Sequence, residues 1–156
     1  MLTIVTGGQA GVDRAALDAA MSLGIPVAGW CPAGRAAEDG PIPEHYPLRE
    51  TPSANTEQRT VRNVQQSDGL LVLNAGYESA GTNLAIRTAR RLQYPVRLQS
   101  VRTGFDDTLA WLQLHLIKVL NVAGPRESQA PGLYTLAHVW MIRLLEAYLA
   151  ARIRTS

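Results

Sequence analysis

Short apolar runs alternate along the chain with longer stretches in which apolar residues recur every three or four positions. The runs have the length of β-strands, and the longer stretches have the period of amphipathic α-helices. Because strands that alternate with helices form βαβ units, we expect an α/β fold with three layers: an open, mostly parallel sheet with helices on both faces. The predicted strands are 2–6, 25–30, 70–73, 96–99 and 118–122, and the predicted helices are 13–23, 55–66, 82–92, 107–116 and 132–153.

Two of these elements carry more apolar residues than a one-sided element needs. The strand 70–73 is continuously apolar, which is typical of an interior parallel strand covered on both faces. The last helix has an apolar stripe and further apolar residues beyond it, and this surplus predicts self-association into a homo-oligomer, a dimer or a tetramer. The alternative is burial of this helix on both sides within one chain. The residues concerned are Leu133, Leu136, Ala137, Val139, Trp140, Ile142, Leu144, Leu145, Tyr148 and Leu149.

The composition is that of an ordinary globular protein. The 156 residues are 46% apolar and 18% charged, and no apolar run approaches the roughly 20 residues that cross a bilayer. Without an internal repeat or a linker, residues 1–156 are predicted to form a single ligand-binding domain. Cys31 is the only cysteine, and no signal-peptide pattern opens the chain, so a cytoplasmic location is expected.

Charge is unevenly distributed along the chain. Residues 1–78 carry five Arg and nine acidic residues, a balance of −4, whereas residues 79–156 carry nine Arg and one Lys against four acidic residues, a balance of +6. Such asymmetry can attract an anionic ligand, although arginines that solvate helix surfaces would give the same count. No basic run or basic–aromatic alternation is present, so neither nucleic acid nor a membrane is an expected partner.

The clearest chemical signal is the glycine-rich turn at residues 7–11, between the first strand and the first helix. A turn in this position exposes backbone N–H groups at the positive end of a helix and can hold a phosphate. The turn is not the G-x-G-x-x-G dinucleotide motif, because only Gly8 and Gly11 keep its spacing, and no Gly-Lys-Ser/Thr of a P-loop follows. The alternative is a tight turn whose glycines serve close packing.

Two further glycine turns follow strands, at residues 78–82 and 121–128. Because the carboxyl ends of parallel strands meet at one edge of the sheet, all three turns should meet in one crevice that binds a phosphate-bearing small molecule. Arg35, Arg59 or Arg126 could contact the phosphate through two hydrogen bonds, although each could equally form a structural ion pair. The candidate binding residues in these segments are Gly7, Gly8, Gln9, Gly11, Arg35, Ser79, Gly81, Thr82, Gly124, Arg126 and Glu127.

The segment 31–53 contains five prolines and is predicted to be a long loop with a function beyond connection. Cys31, which opens it, is expected to be a small buried apolar residue. His45, His115 and His138 lack metal-ligand spacing with one another or with Cys31, so no metal site is predicted. No residue stands out as catalytic.

Several segments together resemble the molybdenum-cofactor carrier proteins, over nearly the whole chain. They are Gly-Gly-Gln-x-Gly-Val-Asp-Arg at 7–14, Gly-Trp-Cys-Pro-x-Gly-Arg at 29–35, Ala-Glu-Asp-Gly-Pro-Ile-Pro at 37–43, Gln-Arg-Thr-x-x-Asn-Val at 58–64, Ser-Asp-Gly at 67–69 and Asn-Val-Ala-Gly-Pro-Arg-Glu-Ser at 121–128. That family is similar to the Rossmann-like superfamily of the lysine-decarboxylase-like phosphoribohydrolases and the DNA-processing protein DprA.

The resemblance implies a Rossmann-like, cytosolic homo-oligomer that stores or carries the molybdenum cofactor (molybdopterin, a phosphorylated pterin) or a related phosphate-bearing ligand. It also implies roles for individual residues. Gly7, Gly8, Gly11, Gly81 and Thr82 would surround the anion. Further polar contacts would come from Arg35, Asn63 and Arg126.

Two positions depart from the related patterns. The usual Ser-Gly-Gly-Thr turn reads Ser79-Ala80-Gly81-Thr82, and Ala85 stands where the phosphoribohydrolases carry a glutamate. Because a carboxylate is needed to activate water there, hydrolysis of a nucleotide or ADP-ribose-type ligand becomes the alternative function, beside a nucleotide-sensing module. The acidic residues that could replace this glutamate are Glu38, Asp39, Glu78 and Glu127.

Overall fold

The computed structural model describes residues 1–74 and 79–156. The strands are β1 (Thr3–Val5), β2 (Val27–Ala28), β3 (Trp30–Cys31), β4 (Arg49–Glu50), β5 (Gly69–Asn74), β6 (Val96–Ser100) and β7 (Val119–Ala123). The helices are α1 (Val12–Ser22), α2 (Thr56–Gln65), α3 (Ala80–Arg91), α4 (Asp106–Leu114) and α5 (Leu133–Thr155), with a short 3-10 turn at Ala33–Arg35.

Five strands form the main sheet in the order β2-β1-β7-β5-β6, and all neighbouring strands are parallel. Helix α5 packs against α1 and α4 on one face, and α2 packs against α3 on the other. The predicted three-layer, Rossmann-like α/β architecture is therefore confirmed. Its parallel strands all point their carboxyl ends to the same edge, which is where ligands bind in open sheets of this kind.

Strand β5 has the burial that its apolar run predicts. Leu71 and Leu73 belong to the core beneath α1 and α5, while Leu70 and Val72 pack with Val64 of α2 on the opposite face. All four strand residues are at most 2% exposed. A continuous apolar run is required here because successive side chains alternate between two covered faces.

The predicted second strand is wrong at its end, because the chain turns at Gly29. Residues Val27–Ala28 pair with β1, whereas Trp30–Cys31 pair with Arg49–Glu50 in a separate two-stranded sheet. Gly29 has φ 142°, and a Cβ at this position would lie 2.0 Å from the carbonyl oxygen of Thr6. Only glycine permits this turn against β1. The proline-rich loop thus contains a short strand that its composition did not predict.

Helix α5 divides its apolar residues between the core and the surface. Its inner face buries Leu133, Ala137, Trp140, Met141, Leu144 and Leu145. Leu136, Val139 and Ile153 remain exposed. The helix is thus covered on one side within the chain, and the partner of its outer side stays a prediction. No helix in the described part of the chain combines the length and apolarity needed to cross a membrane.

Candidate functional site

A cleft of about 230 Å³ lies at the carboxyl ends of the central strands. It is bordered by the β1–α1 turn, one side of α2, the first turns of α3 and the loop after β7. The structure therefore brings parts of all three predicted glycine turns together. The lining residues are Gly7, Gln9, Asp13, Thr56, Arg59, Thr60, Asn63, Ser79, Ala80, Gly81, Thr82, Ala85, Asn121, Val122, Ala123, Gly124, Arg126 and Gln129.

Arg59 is the buried cation of this cleft. It stands on α2, whose first turn is capped by the Asn55 side chain, an acceptor for the Glu57 N–H at 2.9 Å. The Arg59 side chain is only 12% exposed, and its Nε has no hydrogen-bond partner among the described residues. A buried guanidinium normally satisfies its donors, so this arrangement leaves donor capacity for a ligand.

Gly7 makes room for this guanidinium. A Cβ at position 7 would lie 2.4 Å from Nη1 of Arg59. The glycine is therefore required by the approach of a side chain, and the φ angle of Gly7 itself is not positive. The first glycine of the β1–α1 turn thus positions a cationic side chain over the turn.

Asp13, in the first turn of α1, brings a carboxyl group of the protein into the cleft lining. Its Oδ2 accepts the N–H of Gln9 at 3.2 Å and lies 3.8 Å from Nη1 of Arg59, and the N–H of Gly7 also donates to it. Burial raises the pKa of this carboxyl above its ordinary value of 3.8, against the opposing effects of Arg59 and the two N–H groups. Burial likewise lowers the pKa of Arg59, against the attraction of Asp13.

The N–H groups of Gly7, Gly8 and Gln9, at the start of the β1–α1 turn, are therefore bonded to protein oxygens. Besides the two N–H groups on Asp13, the N–H of Gly8 donates to Oγ1 of Thr6 at 3.1 Å. An anion in the cleft would have to displace these internal acceptors to use the turn. The turn can still shape the cleft wall, with Arg59 lying across Gly7.

The N-terminus of α3 is the open counterpart of that turn. Ser79 caps the helix: its Oγ accepts the Thr82 N–H at 3.2 Å and donates to Thr82 Oγ1 at 2.8 Å. The first N–H groups of a helix have no acceptor within the helix and carry partial positive charge. A Cβ at Gly81 would meet no heavy atom of the described residues within 4 Å. This end of the cleft therefore offers space and positive potential for an anion.

Arg126 adds a second cation, on the loop between β7 and α5. This loop is fixed to the β1–α1 turn by a hydrogen bond from the Glu127 N–H to the Ala10 carbonyl at 3.1 Å and by a bridge between Gly11 and Arg126. The Arg126 guanidinium forms no hydrogen bond or ion pair with another residue in the described ranges 1–74 and 79–156. It is close enough to lower the pKa of both Asp13 and Arg59.

Four predicted residues lie outside the lining. Gly8 packs against Leu48 and Ile42, and a Cβ at Gly11 would lie 2.7 Å from the Pro125 carbonyl. The Arg35 guanidinium donates to the carbonyls of residues 42, 43, 46 and 48 and so holds the proline-rich loop together. The carboxylate of Glu127 accepts the N–H groups of Gly132 and Tyr134 at the start of α5.

Three predicted residues line the cleft but have structural partners. The Asn63 amide bonds both the N–H and the carbonyl of Trp30, at 2.7 and 2.9 Å. Nε2 of Gln9 donates to the Ala36 carbonyl at 3.1 Å. A Cβ at Gly124 would lie 2.3 Å from the Leu73 carbonyl, so this glycine serves strand packing. Of the residues predicted to contact the ligand, Arg59, Gly81 and Arg126 are the ones whose groups remain open among the described residues.

Three of the four acidic residues considered for catalysis are engaged elsewhere. Glu38 accepts hydrogen bonds from Ser128, and Asp39 pairs with Arg14. Glu127 caps α5 as described above, and Glu78 lies outside the described residues. Ala85 lines the cleft and is 2% exposed, so a methyl group occupies the position of the glutamate found in the phosphoribohydrolases. Among the described residues, Asp13 is the one carboxylate in the lining.

Sequence reasoning missed five polar residues of the lining: Asp13, Thr56, Thr60, Asn121 and Gln129. It also named Arg59 only as one of three arginines that could contact the phosphate. A signal was present on α2, because positions 56, 59, 60 and 63 have the spacing of one helix face. Another was Asn121, a polar residue between the apolar Leu120 and Val122 in the buried middle of β7.

Comparison with known proteins places this geometry in context. Residues 4–145 match the model of the circularly permutated YpsA SLOG family. A crystal structure of a protein from Syntrophus aciditrophicus SB, named "Putative molybdenum carrier protein", is 38% identical, with a TM-score of 0.85 over 96% of this chain and 95% of that one. The comparison with curated proteins gave no match.

Proposed function

The chain belongs to the circularly permutated YpsA SLOG family, and on this premise we propose that it is a carrier that binds a molybdenum-containing or other phosphate-bearing anion in the cleft. The ligand that best fits the proposal is the molybdenum cofactor, a phosphorylated pterin. The similar protein named as a molybdenum carrier supports the role. The observation that carries the anionic chemistry is Arg59, a buried guanidinium with an unpartnered Nε.

The electrostatics of the cleft favour a bound anion. A buried charge without full compensation is unfavourable, and Asp13 compensates Arg59 only through a 3.8 Å contact. Arg126 adds positive charge at the same cleft. A phosphate or molybdate-type oxyanion would accept charge-assisted hydrogen bonds from Arg59, and its charge would also be stabilised by the first turn of α3.

Binding is better supported than hydrolysis. A hydrolase needs a carboxylate free to act on water or on the substrate. Asp13 already accepts two backbone N–H groups and faces Arg59, and Ala85 brings no carboxylate to the cleft. Among the described residues, the groups open to a ligand are cations and N–H donors, which hold an anion without transforming it.

The proposal is tested by measuring ligand binding to Arg59→Gln. Titration calorimetry with the molybdenum cofactor, molybdate, inorganic phosphate and AMP would compare the wild type, Arg59→Gln and Arg87→Gln. Arg87 is the matched control, since it is an exposed arginine of α3 outside the cleft lining. Because a hydrogen bond to a charged group contributes about 1.5–3 kcal/mol, Arg59→Gln should bind about 10–100-fold more weakly.

The outcomes separate the ligands as well as the site. Retention of the molybdenum cofactor by the wild type, with loss in Arg59→Gln and not in Arg87→Gln, supports the carrier proposal. Binding of AMP in place of the cofactor would identify a nucleotide-binding protein that uses the same cleft. If the wild type binds none of these anions, or if both variants bind equally, the proposal is wrong.

A further inference from the structure

Helix α5 presents a regular exposed stripe that the chain itself leaves uncovered. We call it the α5 stripe. Leu136, Val139 and Ile153 in it are 39%, 48% and 78% exposed. Successive members are separated by 3, 4, 3, 4 and 3 residues, which is the heptad spacing of a coiled-coil contact surface. The stripe consists of Leu136, Val139, Arg143, Glu146, Ala150 and Ile153.

The two charged residues at its centre have no partner within the described part of the chain. Arg143 and Glu146 are both exposed, and neither side chain forms an ion pair or hydrogen bond with the other or with another described residue. The opposite side of α5 is buried against the sheet, α1 and α4. The stripe is thus an apolar surface with one cation and one anion in its middle.

The order of residues along the stripe is self-complementary when read in reverse. A second α5 laid antiparallel, with a twofold axis between residues 144 and 145, would set Leu136 against Ile153, Val139 against Ala150, and Arg143 against Glu146. Each of these contacts would occur twice, as a twofold interface requires. A parallel arrangement would instead set arginine against arginine and glutamate against glutamate, which is unfavourable.

We propose that the α5 stripe is the contact surface of a homodimer in which two α5 helices pack antiparallel, with two symmetric Arg143–Glu146 ion pairs at the centre. The charge pattern indicates which molecule binds the stripe, because a second copy of this chain supplies the complementary charge at each charged position. The contact spans eighteen residues, from Leu136 to Ile153, or about 25 Å of helix at about 1.5 Å per residue. Its apolar ends exclude water from the flanks of the ion pairs.

Charge reversal tests the register of this dimer. Sedimentation equilibrium would compare the wild type with Arg143→Glu, Glu146→Arg and, as the control, Arg87→Glu on the other face of the molecule. Each single reversal brings like charges together twice, so we expect dimerisation at least about tenfold weaker than for the wild type and the control. An equimolar mixture of R143E and E146R chains should regain wild-type affinity, because every charge then meets its opposite.

Cysteine cross-linking tests the direction of the helices. Residues 139 and 150 are eleven positions apart, about 16 Å along one helix, so a disulfide between them within one chain is impossible. A mixture of V139C and A150C chains should cross-link on oxidation, whereas each chain alone should not. The wild type is the negative control, because its cysteine, Cys31, is buried and should not cross-link.

Circular dichroism of each variant confirms that the exposed substitutions leave the fold intact. The proposal is overturned if the wild type is monomeric at 100 µM, if charge reversal leaves the dimer unchanged, or if the R143E and E146R mixture fails to recover. It is also overturned if V139C cross-links to itself more readily than to A150C.

Discussion

The β1–α1 turn and the N-terminus of α3 lie on the same cleft and look alike in sequence, yet they differ in what their donors contact. In the β1–α1 turn the N–H groups of Gly7 and Gln9 donate to Asp13, and that of Gly8 donates to Thr6. At α3 the Ser79 hydroxyl accepts the Thr82 N–H, and no described residue places an atom within 4 Å of a Cβ built at Gly81. The first three N–H groups of one glycine turn are bonded to the protein's own oxygens, whereas the described residues leave the other turn open.

The difference shows that a glycine in a strand-to-helix turn can have several physical causes. Gly11 permits the approach of the β7–α5 loop, Gly7 permits the approach of Arg59, and Gly81 faces open space. Only the last cause suggests direct contact with a ligand. Substituting alanine at each position therefore separates the packing role, the positioning role and the binding role.

The largest expected effect is on stability, at Gly11. An added methyl would lie 2.7 Å from both the Glu127 nitrogen and the Pro125 oxygen, and the residue has φ 105°. Backbone atoms cannot move aside cheaply, so Gly11→Ala should lower the free energy of unfolding by about 3 kcal/mol. Urea denaturation measures this, with Gly104→Ala as the control, since that position has open space. An unchanged denaturation midpoint would contradict the packing role.

The second effect is on binding, at Gly7. An added methyl would meet the flexible end of Arg59, at 2.4 Å from Nη1, so the guanidinium must leave its place while the fold persists. Gly7→Ala should weaken anion binding about tenfold or more, with a stability change below about 1 kcal/mol. Titration calorimetry with the anion that the wild type binds measures the loss.

A double variant sharpens this result. If Gly7→Ala acts only through Arg59, then adding it to Arg59→Gln should weaken binding no further, because the two changes remove one interaction. Additive losses would mean that Gly7 contacts the ligand by itself, and the β1–α1 turn would then be as open as α3.

Gly81→Ala is expected to have two smaller effects, a gain in stability and a loss of anion affinity. Alanine favours a helix over glycine, and open space surrounds this position, so Gly81→Ala should raise the free energy of unfolding by about 0.5 kcal/mol. The same methyl would enter the space proposed for the ligand and should weaken anion binding a few-fold. Thermal denaturation and calorimetry on the same sample measure both. A gain in stability without any loss of affinity would place the anion elsewhere in the cleft.

The sequence was sufficient to predict the fold because its signals are local and repeated. The apolar run of β5 and the strand–helix alternation each follow from periodicity, and the structure confirms both. The division of 25–30 at Gly29 could not be predicted, because it depends on the contact of that glycine with the Thr6 carbonyl, 23 positions away. Pairing of Trp30–Cys31 with Arg49–Glu50 is likewise a long-range event.

The position of the candidate site could be predicted from the sequence, but the identity of its residues could be predicted less well. Parallel topology places all three turns at one edge, whatever their detailed contacts. Whether a given arginine faces that edge depends on packing: Arg35 is held by four carbonyls of its own loop, whereas Arg59 crosses Gly7 into the cleft. Residue type alone cannot distinguish two such arginines, because the contacts that separate them are long-range and depend on packing.

The last and smallest effect concerns Asp13, whose carboxylate closes the β1–α1 turn. Its pKa is raised above 3.8 by burial, so the folded chain keeps the proton at pH values where the unfolded chain has lost it. The folded state then binds more protons, and the free energy of unfolding falls as the pH rises from about 4 to the raised pKa, above which it is flat. The amide of Asp13→Asn does not titrate, so the free energy of unfolding of this variant lacks the decrease that Asp13 causes.

The measurement is the difference in unfolding free energy between the wild type and Asp13→Asn, taken by urea denaturation at intervals from about pH 3 to pH 8. All other titrating groups are shared, so the difference isolates Asp13 and should decline with rising pH. A difference that instead grows as the pH rises from 3 would mean that Arg59 and the two N–H groups outweigh burial and depress the pKa of the carboxyl. Asp13 would then be a firmly held internal anion, and a ligand could reach Arg59 only from the α3 side of the cleft.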